Sequence, residues 1–127
     1  MARRRITDDA GRQALRAWAA GAADRRTLAA AVRYLLEELA EQAPGNSVEV
    51  RVPPFGVAQC ADGPRHTRGT PPNVVELSPE AWLELATGRT TWEQAQSSGR
   101  ISASGTRADL SGMLPLIAPR DLGPRSL

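Results

Sequence analysis

Two amphipathic helices are predicted at the start of the chain. Thr7 or Asp8 can cap the first helix, and Gly21 marks its end. Its apolar residues share one stripe: Leu15, Trp18 and Ala22. Asp24 can cap the second helix, which a Pro-Gly-Asn turn at residues 44–46 ends. The second helix has the spacing of a core-facing surface: Leu28, Val32, Leu35, Leu36 and Leu39.

Strands are predicted next, because the apolar period changes from helical spacing to two. Residues 47–52 place three valines on one face: Val48, Val50 and Val52. The β pattern resumes over residues 55–60 after two prolines, and residues 73–77 form a further strand. Residues 61–72 are rich in Gly and Pro, which predicts a long turn with room for a short strand at its centre.

The C-terminal third is predicted to be helical with one inserted strand. Ser78 can cap a helix that ends at Gly88, and Thr91 can cap a shorter one closed by Gly99. The inner positions of these helices are Trp82, Leu85, Ala86, Trp92 and Ala95. A strand at 100–104 precedes a last amphipathic segment with four large apolar residues: Leu110, Met113, Leu114 and Ile117. Residues 118–127 are predicted to be a flexible tail.

The composition indicates one soluble globular domain of 127 residues, 41% of them apolar. All 16 basic residues are arginine. Residues 1–33 hold eight Arg against three Asp, a net charge of +5, whereas residues 34–127 have a net charge of −3. A basic segment of this kind suits a protein partner, an anionic membrane or nucleic acid. Because charge runs more often only solvate a helix face, a nucleic-acid partner is not favoured.

A cytoplasmic location is predicted from three features. The single cysteine, Cys60, excludes an internal disulfide and fits a reducing compartment. The basic N-terminal residues are not followed by the apolar region of a secretory signal. No apolar run approaches 18 residues, so no transmembrane segment is expected.

Motifs for phosphate and metal binding are absent. A Walker loop requires a lysine, which the chain lacks, and no G-x-G-x-x-G occurs. Gly88 and Gly99 follow helices, so they are predicted to be helix stops and not a phosphate cradle. One Cys and one His cannot supply a structural zinc site, and no cofactor or metal is predicted.

Two constellations carry candidate chemistry. Cys60 with His66, near Asp62, has the composition of a thiol nucleophile and its base, although a buried packing cysteine is favoured. Arg65, His66 and Arg68 form a candidate anion-binding loop, because guanidinium groups match carboxylates and phosphates. The alternative is that these arginines tie the loop to nearby acids.

The stretch from Ser78 to Ile117 resembles the C-terminal half of the sterol-carrier-protein family. The residues that carry the likeness are Leu85-Ala86-Thr87-Gly88-Arg89 and Gly99-Arg100-Ile101. The resemblance implies an α/β fold of the α+β type, with a mainly antiparallel sheet of about five strands covered by helices. It also implies one domain over 1–117, with a helical part at 1–43 and the sheet and C-terminal helices at 44–117.

The same resemblance implies a non-enzymatic carrier of a fatty acyl, acyl-CoA or sterol-like ligand, which makes a lipid or other hydrophobic small molecule the expected partner. The implied pocket wall consists of Trp82, Leu85, Trp92, Ile101, Leu110, Met113 and Leu114. The polar Gln96 and the small Ala103 depart from the lipid-binding pattern, and a closed core formed by the same residues is an equal alternative. A non-catalytic interaction or accessory domain with a basic N-terminal helical face is the other function considered.

Overall fold

The computed structural model describes residues 5–63 and 73–122, which form four α-helices, four β-strands and one 3-10 helix. In chain order these are α1 (Asp8–Ala19), α2 (Arg25–Gln42), β1 (Val48–Val52), β2 (Gly56–Cys60), β3 (Asn73–Leu77), α3 (Pro79–Ala86), α4 (Trp92–Ser97), β4 (Ile101–Ser104) and the 3-10 helix Pro119–Leu122. The predicted mixture of helices and sheet is confirmed.

The strands form one sheet in the order β2-β1-β3-β4. The pairs β1–β2 and β3–β4 are antiparallel, and β1–β3 is parallel. The expected count of about five strands is therefore corrected to four in the described part of the chain. The segment with room for another short strand, 61–72, is described only over 61–63. Ala61 has a positive φ of 70°, so the backbone leaves the extended conformation there and the ladder with β1 ends at Cys60.

The helices begin where their capping residues predict. The four N-caps accept a hydrogen bond from a backbone N–H three residues on: Thr7 from Ala10, Asp24 from Thr27, Ser78 from Ala81 and Thr91 from Gln94. Gly88 and Gly99 have φ values of 78° and 77°, a conformation that favours glycine. Both follow helices, as predicted from the sequence. The first helix ends at Ala19, so Ala22 lies beyond the stripe predicted for it.

Helices cover one face of the sheet, and the core lies between them. Val50 and Val75 are fully buried on that face, while Arg51 and Glu76 are exposed on the other. Helix α2 contacts α1, β2 and α3. Trp82 of α3 is buried in the core and donates its ring N–H to the carbonyl of Val32, with an N–O distance of 3.3 Å. Thus α2 is the element around which the other layers pack.

The prediction that the C-terminal third is helical is wrong for its last amphipathic segment, because residues 105–118 form turns and irregular structure. The Asp109 carboxylate accepts a hydrogen bond from the Ser111 N–H and so competes with helical bonding. Pro115 has no N–H to donate and disfavours helical backbone at Leu114. The segment still contributes Leu110 and Ile117 to the core.

The described helices include none that has both the length and the apolar composition needed to cross a bilayer. The longest of them is α2, with 18 residues. It carries both core leucines and exposed charges, including Arg25, Arg26 and Arg33. These three arginines border a groove between α2 and β2.

Candidate functional site

A groove runs between α2 and the edge of β2 that does not pair with β1. It has a volume of about 1360 Å³, and ligand sites commonly enclose about 300–1,000 Å³. Its β2 lining is continuous from Gly56 to Gln59, so both faces of the strand border it, as at a sheet edge. Its α2 lining follows helical spacing along one flank: Arg26, Ala29, Ala30, Arg33, Glu37 and Ala40.

Small side chains let α2 approach the sheet beneath the groove. Gly56 and Ala58 pair with Val52 and Val50, so they lie on the helix-covered face of β2. A Cβ on Gly56 would lie 3.2 Å from Cδ1 of Leu36. The resulting surface is mainly apolar: Ile6, Ala29, Ala30, Leu36, Ala40, Phe55, Gly56 and Ala58.

Two arginines of α2 converge on Phe55 at one end of the groove. Arg33 donates its Nε–H to the Phe55 carbonyl, at an N–O distance of 2.7 Å. The guanidinium carbon of Arg25 lies 5.6 Å from the centre of the Phe55 ring, within the range of a cation–π contact. Arg25 and Arg33 are eight residues apart, or roughly 12 Å along the helix axis. Their contacts with one residue draw the two guanidinium groups toward each other.

The N-terminal segment borders the groove from the other side of α2. The Glu37 carboxylate accepts hydrogen bonds from the backbone N–H of Arg5, at 3.1 Å, and of Ile6, at 3.2 Å. Ile6 is half-buried and packs against the core. One acidic residue thus fixes the chain that precedes α1 against α2.

The groove has a positive electrostatic character. Its lining contains four arginines, Arg5, Arg25, Arg26 and Arg33, against the single carboxylate of Glu37. The α2 arginines lie in the N-terminal half of the helix, whereas Glu37 lies toward the end that Ala40 and Gly45 border. The arrangement suits an amphipathic ligand with a charged end and an apolar chain.

The seven residues of the predicted pocket wall belong to the apolar core. Trp82, Leu85 and Leu110 are at most 1% exposed, and Trp92 is also buried. The remaining three are half-buried and pack against the core: Ile101, Met113 and Leu114. None of the seven lines the groove. Gln96 and Ala103, the departures from the family pattern, are both exposed.

The candidate anion-binding loop, Arg65, His66 and Arg68, lies outside the described residues. Cys60 is buried at the end of β2, and burial raises the pKa of its thiol to about 11. A thiol with this pKa is protonated at neutral pH and is a poor nucleophile. Asp62 is exposed, and its carboxylate accepts the N–H of Gly63.

Phe55 and the groove arginines are not among the site residues predicted from the sequence. The sequence shows Arg25, Arg26 and Arg33 only as part of a basic N-terminal segment, and Phe55 only as an apolar residue after two prolines. One signal was available: Arg26, Ala30 and Arg33 share a flank of α2 that the core leucines do not occupy. Which strand edge faces that flank is a tertiary property.

A family model described as "Bacterial SCP ortholog" matches residues 24–116. The match begins at the N-cap of α2 and extends past β4, so it includes both elements that form the groove. No curated protein matches the chain.

Proposed function

Because the chain belongs to the family of bacterial SCP orthologs, we propose that it is a non-enzymatic lipid carrier and that the groove between α2 and β2 holds the apolar chain of its ligand. The sterol-carrier-like family supports the carrier role, and the groove supplies a surface of suitable size. The observation that carries the proposal is the apolar surface of Ala29, Ala30, Ala40 and Ala58 beside an exposed strand edge.

The energetics of chain burial favour this assignment. Each methylene transferred from water to an apolar surface contributes about 0.8 kcal/mol. Ala29, Ala30 and Ala40 of α2 are half-buried, so a chain bound in the groove would cover them without opening the core. Binding therefore requires no rearrangement of the fully buried Trp82 or Leu85.

Isothermal titration with a medium-chain lipid tests the proposal. We expect saturable binding of 1-decanol or decanoate at one site per chain. Ala30→Phe places a ring in the groove and should weaken binding at least tenfold, about 1.4 kcal/mol. Ala20→Phe is the matched control, since Ala20 is exposed at the end of α1 and does not line the groove.

Two results would contradict the proposal. Absence of saturable binding for both ligands would exclude the carrier role for these chain types. Equal affinity in wild type and Ala30→Phe would exclude the groove as the location, and the core wall predicted from the sequence would then be the site to test.

A further inference from the structure

Some arginines of the described chain form ion pairs with acidic side chains and others do not. Arg12, Arg51, Arg100 and Arg120 each form an ion pair with an acidic side chain. In the part of the chain that the structure describes, no such pair is formed by the three arginines of α2, Arg25, Arg26 and Arg33, or by Arg5, Arg16, Arg89 and Arg107. What sets Arg25 and Arg33 apart is their contact with Phe55.

The acidic groups near these arginines already have other roles. Asp24 accepts the Thr27 N–H as the cap of α2, and these bonds lower the pKa of its carboxyl, with a smaller effect from Arg26. Glu37 accepts the N–H groups of Arg5 and Ile6 farther along the helix. Positive charge at the Phe55 end thus exceeds the negative charge around it.

Phe55 holds two of the guanidinium groups in place. Arg33 uses its Nε–H on the Phe55 carbonyl, which orients its two terminal nitrogens without using them. Arg25 lies over the ring face, and that contact leaves its N–H groups in the guanidinium plane. Guanidinium groups that are oriented in advance lose less side-chain entropy when they bind a carboxylate or phosphate.

Charged and apolar residues are interleaved along the α2 side of the groove, with the arginines in the N-terminal half of the helix. From Arg25 the lining continues through Ala29, Ala30, Arg33 and Glu37 to Ala40, a distance of about 22 Å at 1.5 Å per residue. An unbranched chain laid along this path would place its end group beside Phe55. Because these arginines are exposed, the attraction between them and that group is screened by salt.

We infer that the groove selects straight-chain amphiphiles with an anionic end group, an inference that rests on the proposed carrier function. Arg25 and Arg33, which Phe55 positions, bind that end group, and Arg26 lies nearby. Carboxylate and phosphate ends share the required chemistry, since both accept paired hydrogen bonds from a guanidinium. A ligand with the same chain length and an uncharged end group gains only the apolar contacts.

Titration of one chain length with three end groups tests the inference. We expect wild-type protein to bind decanoate and decyl phosphate at least tenfold more tightly than 1-decanol. Arg25→Gln and the double variant Arg25→Gln/Arg33→Gln should reduce that preference to less than threefold. Affinity for 1-decanol should stay within twofold of wild type, which also shows that the groove remains folded.

Arg16→Gln is the matched control, because it removes the same charge from an exposed position of α1 outside the groove. It should leave the preference unchanged. Equal binding of 1-decanol and decanoate by wild type would overturn the inference while leaving the carrier function intact. A loss of preference in Arg16→Gln as large as that in Arg25→Gln would overturn it too, because the cause would then be overall charge. Failure of all three ligands to bind would remove both proposals.

Discussion

At the scale of single residues, Gly11 sets how closely α1 approaches α2. A Cβ at this position would lie within 3.0 Å of the Tyr34 ring, which is fully buried. The Tyr34 hydroxyl donates to the Asp8 carboxylate in the first turn of α1. Burial, and then the bond to Asp8, raise the pKa of Tyr34 to about 12. Tyr34 thus contacts α1 both through its ring, at Gly11, and through its hydroxyl, at Asp8.

We expect Gly11→Ala to lower the free energy of unfolding by about 1–3 kcal/mol, because the added methyl group overlaps a ring that has no space to move. Urea denaturation measures the change. Gly112→Ala is the control: a Cβ there meets no atom within 4 Å, so the effect should stay within about 0.5 kcal/mol. Equal effects in the two variants would show that Tyr34 can relax.

Burial of Cys60 predicts low thiol reactivity. Its pKa of about 11, against about 8.5 in an unfolded chain, means about a hundredfold less thiolate near neutral pH. We expect a thiol reagent at pH 7.5 to label native protein at least a hundredfold more slowly than unfolded protein. Urea at roughly 8 M provides the unfolded reference. Equal rates would place the thiol at the surface.

The same pKa shift predicts a stability change at alkaline pH. Because the folded-state pKa is raised, the contribution of Cys60 is complete below about pH 8.5 and is lost as the pH rises toward about 11. Cys60→Ala should therefore show a shallower loss of unfolding free energy over this interval.

At the scale of elements, α2 depends on its first turn. The Asp24 carboxylate accepts the Thr27 N–H, and this bond lowers the pKa of Asp24. A lowered folded-state pKa adds stability that is present above about pH 4, the unfolded value, and is lost as the pH falls through the folded one.

Two substitutions separate the cap from its charge. Asp24→Asn keeps a capping side chain, so it should have near wild-type stability at pH 7 and a shallower loss of stability between about pH 5 and 2. Asp24→Ala should be less stable than both wild type and Asp24→Asn at pH 7, because it lacks the capping side chain. Denaturation at several pH values measures both. Parallel acid profiles for wild type and Asp24→Asn would refute the role of the charge.

Elements specified by local chemistry were predictable, and those specified by tertiary contacts were not. The starts of α3 and α4 follow from Ser78 and Thr91, whose side chains bond N–H groups three residues away. The apolar spacing after Ala108 suggested a helix, but Asp109 and Pro115 prevent one. The groove escaped prediction because neither α2 nor β2 alone contains it.

At the scale of the whole molecule, the two ends of the described chain meet at α1. Arg12 donates from Nη1 to the Asp121 carbonyl, with an N–O distance of 3.1 Å. Leu122 is buried, and the 3-10 helix that carries it contacts α1. The N-terminal helix is therefore held by contacts with both α2 and the C-terminal 3-10 helix.

We expect Leu122→Ala to lower the free energy of unfolding by about 2–5 kcal/mol, the usual cost of truncating a buried leucine. Arg120→Ala is the control, since its side chain is 87% exposed and its ion pair with Asp121 is long, at 4.0 Å. Denaturation curves compare the two. A change below about 0.5 kcal/mol in Leu122→Ala would show that the 3-10 helix adds no stability.

The burial of all three tryptophans has a spectroscopic consequence. Trp18, Trp82 and Trp92 lie in the core, and none lines the groove. A ligand that occupies the groove should therefore leave the wavelength of the intrinsic emission almost unchanged. A ligand that enters between sheet and helices would contact Trp82 or Trp92 and shift it. The chain thus contains its own optical reporter, which distinguishes the core wall suggested by family resemblance from the groove beside Phe55.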